Sequence, residues 1–148
     1  MINLILFGKP GSGKGTQAEF VRKNYNLVHI STGDVFRTNI VKNTDLGILA
    51  KSYMNNGDLV PDDVTIKMLE GEVSKNMDSN GFIFDGFPRT IKQAEILDKF
   101  LNDQNLQISM TIALDVEDKI LIKRLLERGK QSGRTDDQDI LKIQNRFQ

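Results

Sequence analysis

Ile2-Asn3-Leu4-Ile5-Leu6-Phe7-Gly8-Lys9-Pro10-Gly11-Ser12-Gly13-Lys14-Gly15-Thr16 opens the chain. Residues 2–7 are apolar except for Asn3, the pattern of a strand buried on both faces. After the glycines, Ala18, Val21 and Tyr25 recur at helical spacing, so a helix is expected over 16–25. Strand, glycine loop and helix in that order form a phosphate-binding loop. The glycines let successive N–H groups turn inward on an anion, and the helix adds its positive N-terminal end. Lys14 supplies a mobile ammonium for outer phosphates. The strict pattern places Ser or Thr directly after the lysine; here Gly15 intervenes before Thr16, which leaves a hydroxyl–magnesium contact open. An ordinary glycine turn into a helix is the plain alternative, but four glycines, the lysine and both flanks outweigh it.

Beyond the loop, short apolar runs alternate with longer helical stretches. Strands are expected at 27–30, 82–84 and 110–114. Helices are expected over 34–42, 45–55, from Pro61 at a first helical position, and over 90–102. Asp115 is expected to cap a helix over 116–128 that Gly129 ends, and a last helix begins near Asp139 and runs on to Gln148. Strands alternating with helices imply an α/β fold, a parallel sheet covered on both faces. In such sheets ligands sit at the carboxyl ends of the strands. That draws attention to 8–16, 31–37, 85–93 and the region after Leu114.

At 148 residues the chain is one domain, large enough to bury about two-thirds of its unfolded surface. Twenty basic and twenty acidic side chains balance, which argues against a general nucleic-acid binder or a polybasic membrane protein. No apolar run approaches the length of a membrane span, and no signal peptide is read at the start. Absence of cysteine excludes disulfides and thiolate zinc sites. Residues 1–30 nevertheless carry four bases against one acid, a local anion site on a neutral protein.

Asp85 ends the apolar run Gly81-Phe82-Ile83-Phe84. In phosphate-loop enzymes such an acid organises magnesium, often through water. Thr90 and Gln93 have the spacing of a capping box. His29, the single histidine, lies in a short strand and reads as structural, and Lys9 reads as pointing to solvent.

Four segments together resemble the adenylate kinases: Gly11-Ser12-Gly13-Lys14-Gly15-Thr16-Gln17, Ser31-Thr32-Gly33-Asp34-Val35-Phe36-Arg37, Asp85-Gly86-Phe87-Pro88-Arg89-Thr90 and Gln93-Ala94. They occur in that family's order and spacing, and the family's own loop has Gly and then Thr after the lysine. The resemblance implies a three-layer phosphate-loop nucleoside monophosphate kinase fold, with sheet order 2-3-1-4-5 and the fifth strand and final helix absent from this chain. It implies a mobile monophosphate-binding segment at 31–60 and a short lid at 128–138 within a single domain over 1–148.

The resemblance also assigns roles. Gly11, Ser12, Gly13, Lys14, Gly15 and Thr16, with Arg124 and Arg128, would hold ATP. Thr32, Arg37, Asp58, Leu59, Val60, Gly86, Phe87, Pro88, Arg89 and Gln93 would hold AMP, Gln93 facing the adenine edge, and Met54 matches a pocket wall. Arg134 and Arg146 would close over the phosphates on the AMP side. Lys14, Arg89, Arg128, Arg134 and Arg146 would carry catalysis, Asp85 would hold magnesium through water, and Asp136 and Asp137 match acids of the lid. No zinc is implied. Of seven arginines, all but Arg22 fall in these segments, which suits a guanidinium's fork onto phosphate oxygens. The implied reaction is ATP + AMP to two ADP in a cytoplasmic monomer, with no nucleic-acid or membrane partner. Three alternatives stay open: a UMP/CMP kinase, against which Thr32 and Thr90 stand; a nucleotide-hydrolysing switch, which lacks Asn-Lys-x-Asp here; and a non-catalytic nucleotide-binding fragment.

Overall fold

The computed structural model describes residues 1–55, 60–133 and 137–147, with the side chains of Met54 and Asn55 also outside the description. Among the described residues eleven elements follow one another along the chain. They are β1 (Ile2–Phe7), α1 (Lys14–Tyr25), β2 (Val28–Ser31), α2 (Thr32–Val41), α3 (Asp45–Asn55) and α4 (Asp62–Ser74). Then come β3 (Gly81–Asp85), α5 (Ile91–Asp103), β4 (Met110–Ala113), α6 (Asp118–Ser132) and α7 (Ile140–Asn145). The described strands form one parallel sheet in the order β2-β3-β1-β4, the first four strands of the order the resemblance implied. Leu6 pairs with Asp85, Ser31 with Asp85 and Phe7 with Ala113, so all four carboxyl ends open on one edge.

Alternation along the strands divides the interior in two. Ile5, Ile30, Phe82 and Phe84 face α4 and α5, meeting Ile66, Leu69, Val73, Leu97 and Leu101. The Phe82 and Phe84 rings lie 6.1 Å apart on that face. Leu4, Leu6 and Ile83 face the other way, onto Ala18 of α1 and Leu27. A smaller cluster of Ala50, Val64 and Met68 joins α3 to α4. These layers bury β1 and β3 on both faces, as central strands of a parallel sheet, while β4 is largely exposed.

Asn3, the polar break in β1, is buried and fully used. Its amide donates to the Gln107 carbonyl at 2.9 Å and accepts from the Phe82 N–H at 3.2 Å, while its own N–H donates to Ser109 Oγ at 3.1 Å.

Several expected boundaries shift. Pro61 stands at the N-cap rather than the first helical position of α4. Glu117, not Asp115, occupies the N-cap position of α6, without a side-chain capping bond, and that helix runs through Gly129 to Ser132, where Gly133 ends it in the left-handed region at φ 69°. Gly129 lies inside the helix and serves close approach rather than termination: a Cβ there would stand 2.7 Å from the Asp137 carbonyl oxygen. The last helix begins beside Asp139 as expected, with that side chain as its cap, but closes at Asn145 instead of continuing.

Candidate active site

The phosphate loop joins β1 to α1 at the open edge of the sheet. Gly11 adopts φ 83°, and a Cβ there would lie 3.0 Å from Leu125 Cγ, so only glycine lets the loop sit directly on α6. Leu121 and Leu125 are buried completely beneath it. Ser12 is buried inside the loop, and its hydroxyl is the one buried side-chain polar atom without a hydrogen-bond partner among the described residues. An anion in the loop supplies the partner such a group needs. Gly15 and Thr16 stand exposed in the first turn of α1.

Lys14 folds back over the loop and donates to the Gly8 carbonyl at 2.7 Å. Partial burial lowers the pKa of its ammonium. The attraction of Asp85 opposes that shift, while repulsion from Arg89, Arg128 and Arg146 adds to it. Asp85 and these three arginines thus lie within electrostatic reach of Lys14, and two of the arginines are themselves held by Asp137. Cations gathered beside a phosphate-type loop suit an anion.

Asp85, at the end of β3, lies 3.2 Å from His29 Nε2 of β2 through one carboxylate oxygen. The histidine, half-buried within its strand, thus holds the carboxylate that the resemblance assigns to magnesium. A carboxylate suits that ion, which keeps most of its water and takes one or two protein oxygens.

Arg128 and Arg146 converge on Asp137. Arg128 donates two bonds to its carboxylate at 2.6 and 3.1 Å, and Arg146 one at 2.8 Å. Asp137 is wholly buried. Burial works against its charge, but the two guanidiniums outweigh that and hold its carboxyl below the ordinary range. Arg124, one turn earlier on α6, donates to the Gly11 carbonyl at 3.3 Å. Arg124 thus contacts the loop and Arg128 holds Asp137, and neither sits at a helix end, since α6 continues to Ser132.

On the β2–β3 side, Thr32 is buried and donates to the Gly86 carbonyl at 3.2 Å. It therefore does not cap α2, whose N-cap is Ser31. Arg37 is paired with Asp34, one turn back on α2, and this guanidinium lowers the acid's pKa despite burial. Arg89 is exposed and donates to the Gly86 carbonyl at 2.8 Å. Phe87 packs into the main core and Pro88 is buried, so that pair offers a ligand mostly backbone. Val60 packs on the α3–α4 cluster. Gln93 is almost buried, with both halves of its amide engaged. Asp58, Leu59, Arg134 and Asp136 lie outside the described residues, as does the Met54 side chain.

Two contacts escaped the sequence. Lys9 stands at the exposed surface, as expected, but there it pairs with Asp118 at 2.7 Å and its ammonium lies 5.3 Å from the centre of the Phe147 ring. Asp62, the first residue of α4, bonds Gln93, and nothing in its local pattern signals that.

Among the described residues no helix is long and apolar enough to cross a membrane. The family described as adenylate kinase matches residues 6–148. The chain is 64% identical to an adenylate kinase of Flavobacterium psychrophilum and 60% identical to one of Flavobacterium johnsoniae, over its whole length and 78% of theirs. It is 53% identical to an adenylate kinase of Parabacteroides distasonis, over 93% of this chain and 72% of that one. Neither the UMP/CMP kinase nor the non-catalytic alternative finds support in these relatives. With its phosphate loop, its four-strand order and a cluster of cations at the carboxyl edge, the chain belongs to the adenylate kinase family of phosphotransferases.

Proposed function

We propose that this enzyme moves the terminal phosphoryl group of ATP onto AMP by direct in-line transfer, giving two ADP, with the reverse reaction on the same groups. The observation that supports the residue-level reading is the phosphate loop seated on α6 through Gly11, with Lys14 folded over it and the buried Ser12 hydroxyl left without a partner among the described residues. The phosphate loop, Arg124 and Arg128 take the ATP phosphates. Thr32, Arg37, the 86–89 turn and Gln93 take AMP. An AMP phosphate oxygen then faces the terminal phosphorus of ATP across the arginine cluster.

Little covalent work falls to the protein in phosphoryl transfer, so positioning and charge stabilisation supply the rate. Lys14 and the arginines neutralise charge spreading over the transferred group, and they are aimed before the substrates arrive. Asp85 would hold magnesium through water, and the ion would supply positive charge to offset that of the phosphates. Movement of the 31–60 segment and of the 128–138 lid, which contains Arg134, excludes water that would otherwise take the phosphoryl group.

The test is Lys14→Ala in a coupled ADP assay. Transfer is expected to fall by on the order of 10³ or more, with the melting temperature little changed. Near-normal transfer in that variant overturns the assignment. Turnover with AMP, CMP and UMP on the unaltered chain checks the acceptor, and a clear preference for CMP overturns the choice of AMP.

A further inference from the structure

Gln93 enters the site from the first turn of α5, fixed there because its N–H donates to the capping Thr90 Oγ1 at 3.2 Å. Its amide is locked at both ends. Oε1 accepts from the Arg89 N–H at 2.7 Å, and Nε2 donates to Asp62 Oδ1 at 2.6 Å. The two partners are of opposite kind and neither can exchange roles. A backbone N–H only donates, and a carboxylate only accepts. Turning the amide over would set its NH₂ against an N–H and its carbonyl against a carboxylate, inside a nearly closed environment where both clashes are costly.

From this geometry we propose that Asp62 is a positioning residue that sets base specificity by fixing the orientation of the Gln93 amide. The inference rests on the reading of Gln93 as the residue facing the base. After both bonds are made, the amide keeps one N–H and one lone pair. Those are the complement of adenine's N1 acceptor and N6 donor. Hypoxanthine, the same size, presents the reverse, a donor at N1 and an acceptor at O6. A locked amide accepts the first base and opposes the second, whereas a free amide turns to suit either. A site that holds its polar groups in place rejects the mismatched analogue because those groups are left unpaired.

Asp62 belongs to α4 and Gln93 to α5, so the lock also ties the base-facing residue to the helix that follows the 31–60 segment.

The experiment measures dissociation constants for AMP and IMP by calorimetry on the unaltered chain, Asp62→Asn and Gln93→Ala, with melting curves for each. The unaltered chain is expected to favour AMP. Asp62→Asn, whose own amide turns freely, is expected to narrow the AMP-to-IMP ratio about tenfold, mainly by improving IMP, with melting little changed. A ratio untouched in Asp62→Asn but lost in Gln93→Ala overturns the proposal and leaves Gln93 as the base reader. A ratio untouched in Gln93→Ala, or no preference in the unaltered chain, overturns both. If Asp62→Asn fails to fold, the Gln93 side-chain NH₂ of the ¹⁵N-labelled unaltered chain decides. A downfield, slowly rotating pair of protons supports the lock, and the averaged shifts of a free glutamine amide overturn it.

Discussion

Arg128 and Asp137 are joined by a two-bond fork, with Nε and Nη2 reaching the two carboxylate oxygens at 2.6 and 3.1 Å. The acid is fully buried while the guanidinium is more than a third exposed. The Arg128 guanidinium thus stands on a carboxylate that water does not reach, and Arg146 shares the same support.

Asp137→Ala removes the support from both arginines at once. We expect a loss of stability of about 2 kcal/mol, the range of charged hydrogen bonds, since the guanidiniums can turn partly to water. Transfer should fall by on the order of 10², because displaced phosphate-facing groups lose their alignment. Steady-state kinetics on a variant shown folded by circular dichroism checks this, and unchanged kcat overturns it.

The same pair fixes a pH dependence. A carboxyl held below its ordinary range in the folded state binds protons more readily when unfolded, so its contribution is present above the unfolded pKa, about 3.9, and is lost as pH falls through the folded value. The gap in melting temperature between the unaltered chain and Asp137→Asn should therefore be constant from pH 8 to 5 and narrow below about pH 4. Thermal melts across that range decide it; a gap that widens on acidification refutes the assignment.

Two helical glycines should respond in opposite directions to alanine. Gly71 in α4 has open space where a Cβ would go, and Gly71→Ala should stabilise by about 0.5–1 kcal/mol. Gly129 in α6 faces the Asp137 backbone at 2.7 Å, and Gly129→Ala should destabilise by about 1–3 kcal/mol despite alanine's better helix propensity. Chemical denaturation of the two variants side by side is the check.

Lys9→Met should be mild. The Lys9–Asp118 pair is exposed on both sides, and the contact with the Phe147 ring adds a weak cation–π attraction. Together they should contribute no more than about 1 kcal/mol, most of it gone in 1 M salt. A larger, salt-insensitive loss would mean that Lys9 holds the phosphate loop in some other way.

What was legible in the sequence follows from range. The loop from Gly8 to Thr16, the four described strands and the Thr90 bond at the start of α5 are local patterns, and each stands within a residue of where its pattern put it. Gly129 misled because a glycine after a helical stripe reads equally as a C-terminal turn or as a place of close approach. Only the distant Asp137 backbone decides between them. Likewise the Asp62–Gln93 bond spans 31 residues and two helices, and the Lys9–Asp118 pair spans 109. Their partners are set by how α4 lies on α5 and where α6 begins relative to the loop. The resemblance named the arginines, but not the carboxylate beneath two of them as a shared anchor.

Asn3 carries a consequence for assembly. Its three bonds reach β3 and the stretch leading into β4, segments some 80 and 105 residues away. A parallel strand flanked by apolar residues on both faces can slide by one position with little hydrophobic penalty, unlike a strand with one polar face. Asn3 removes that tolerance, since any slip strands a buried amide without partners at about 1–3 kcal/mol. One polar residue in β1 thus acts as an index mark, and Asp85 meets Leu6 and Ser31 at the site edge because the count starts there.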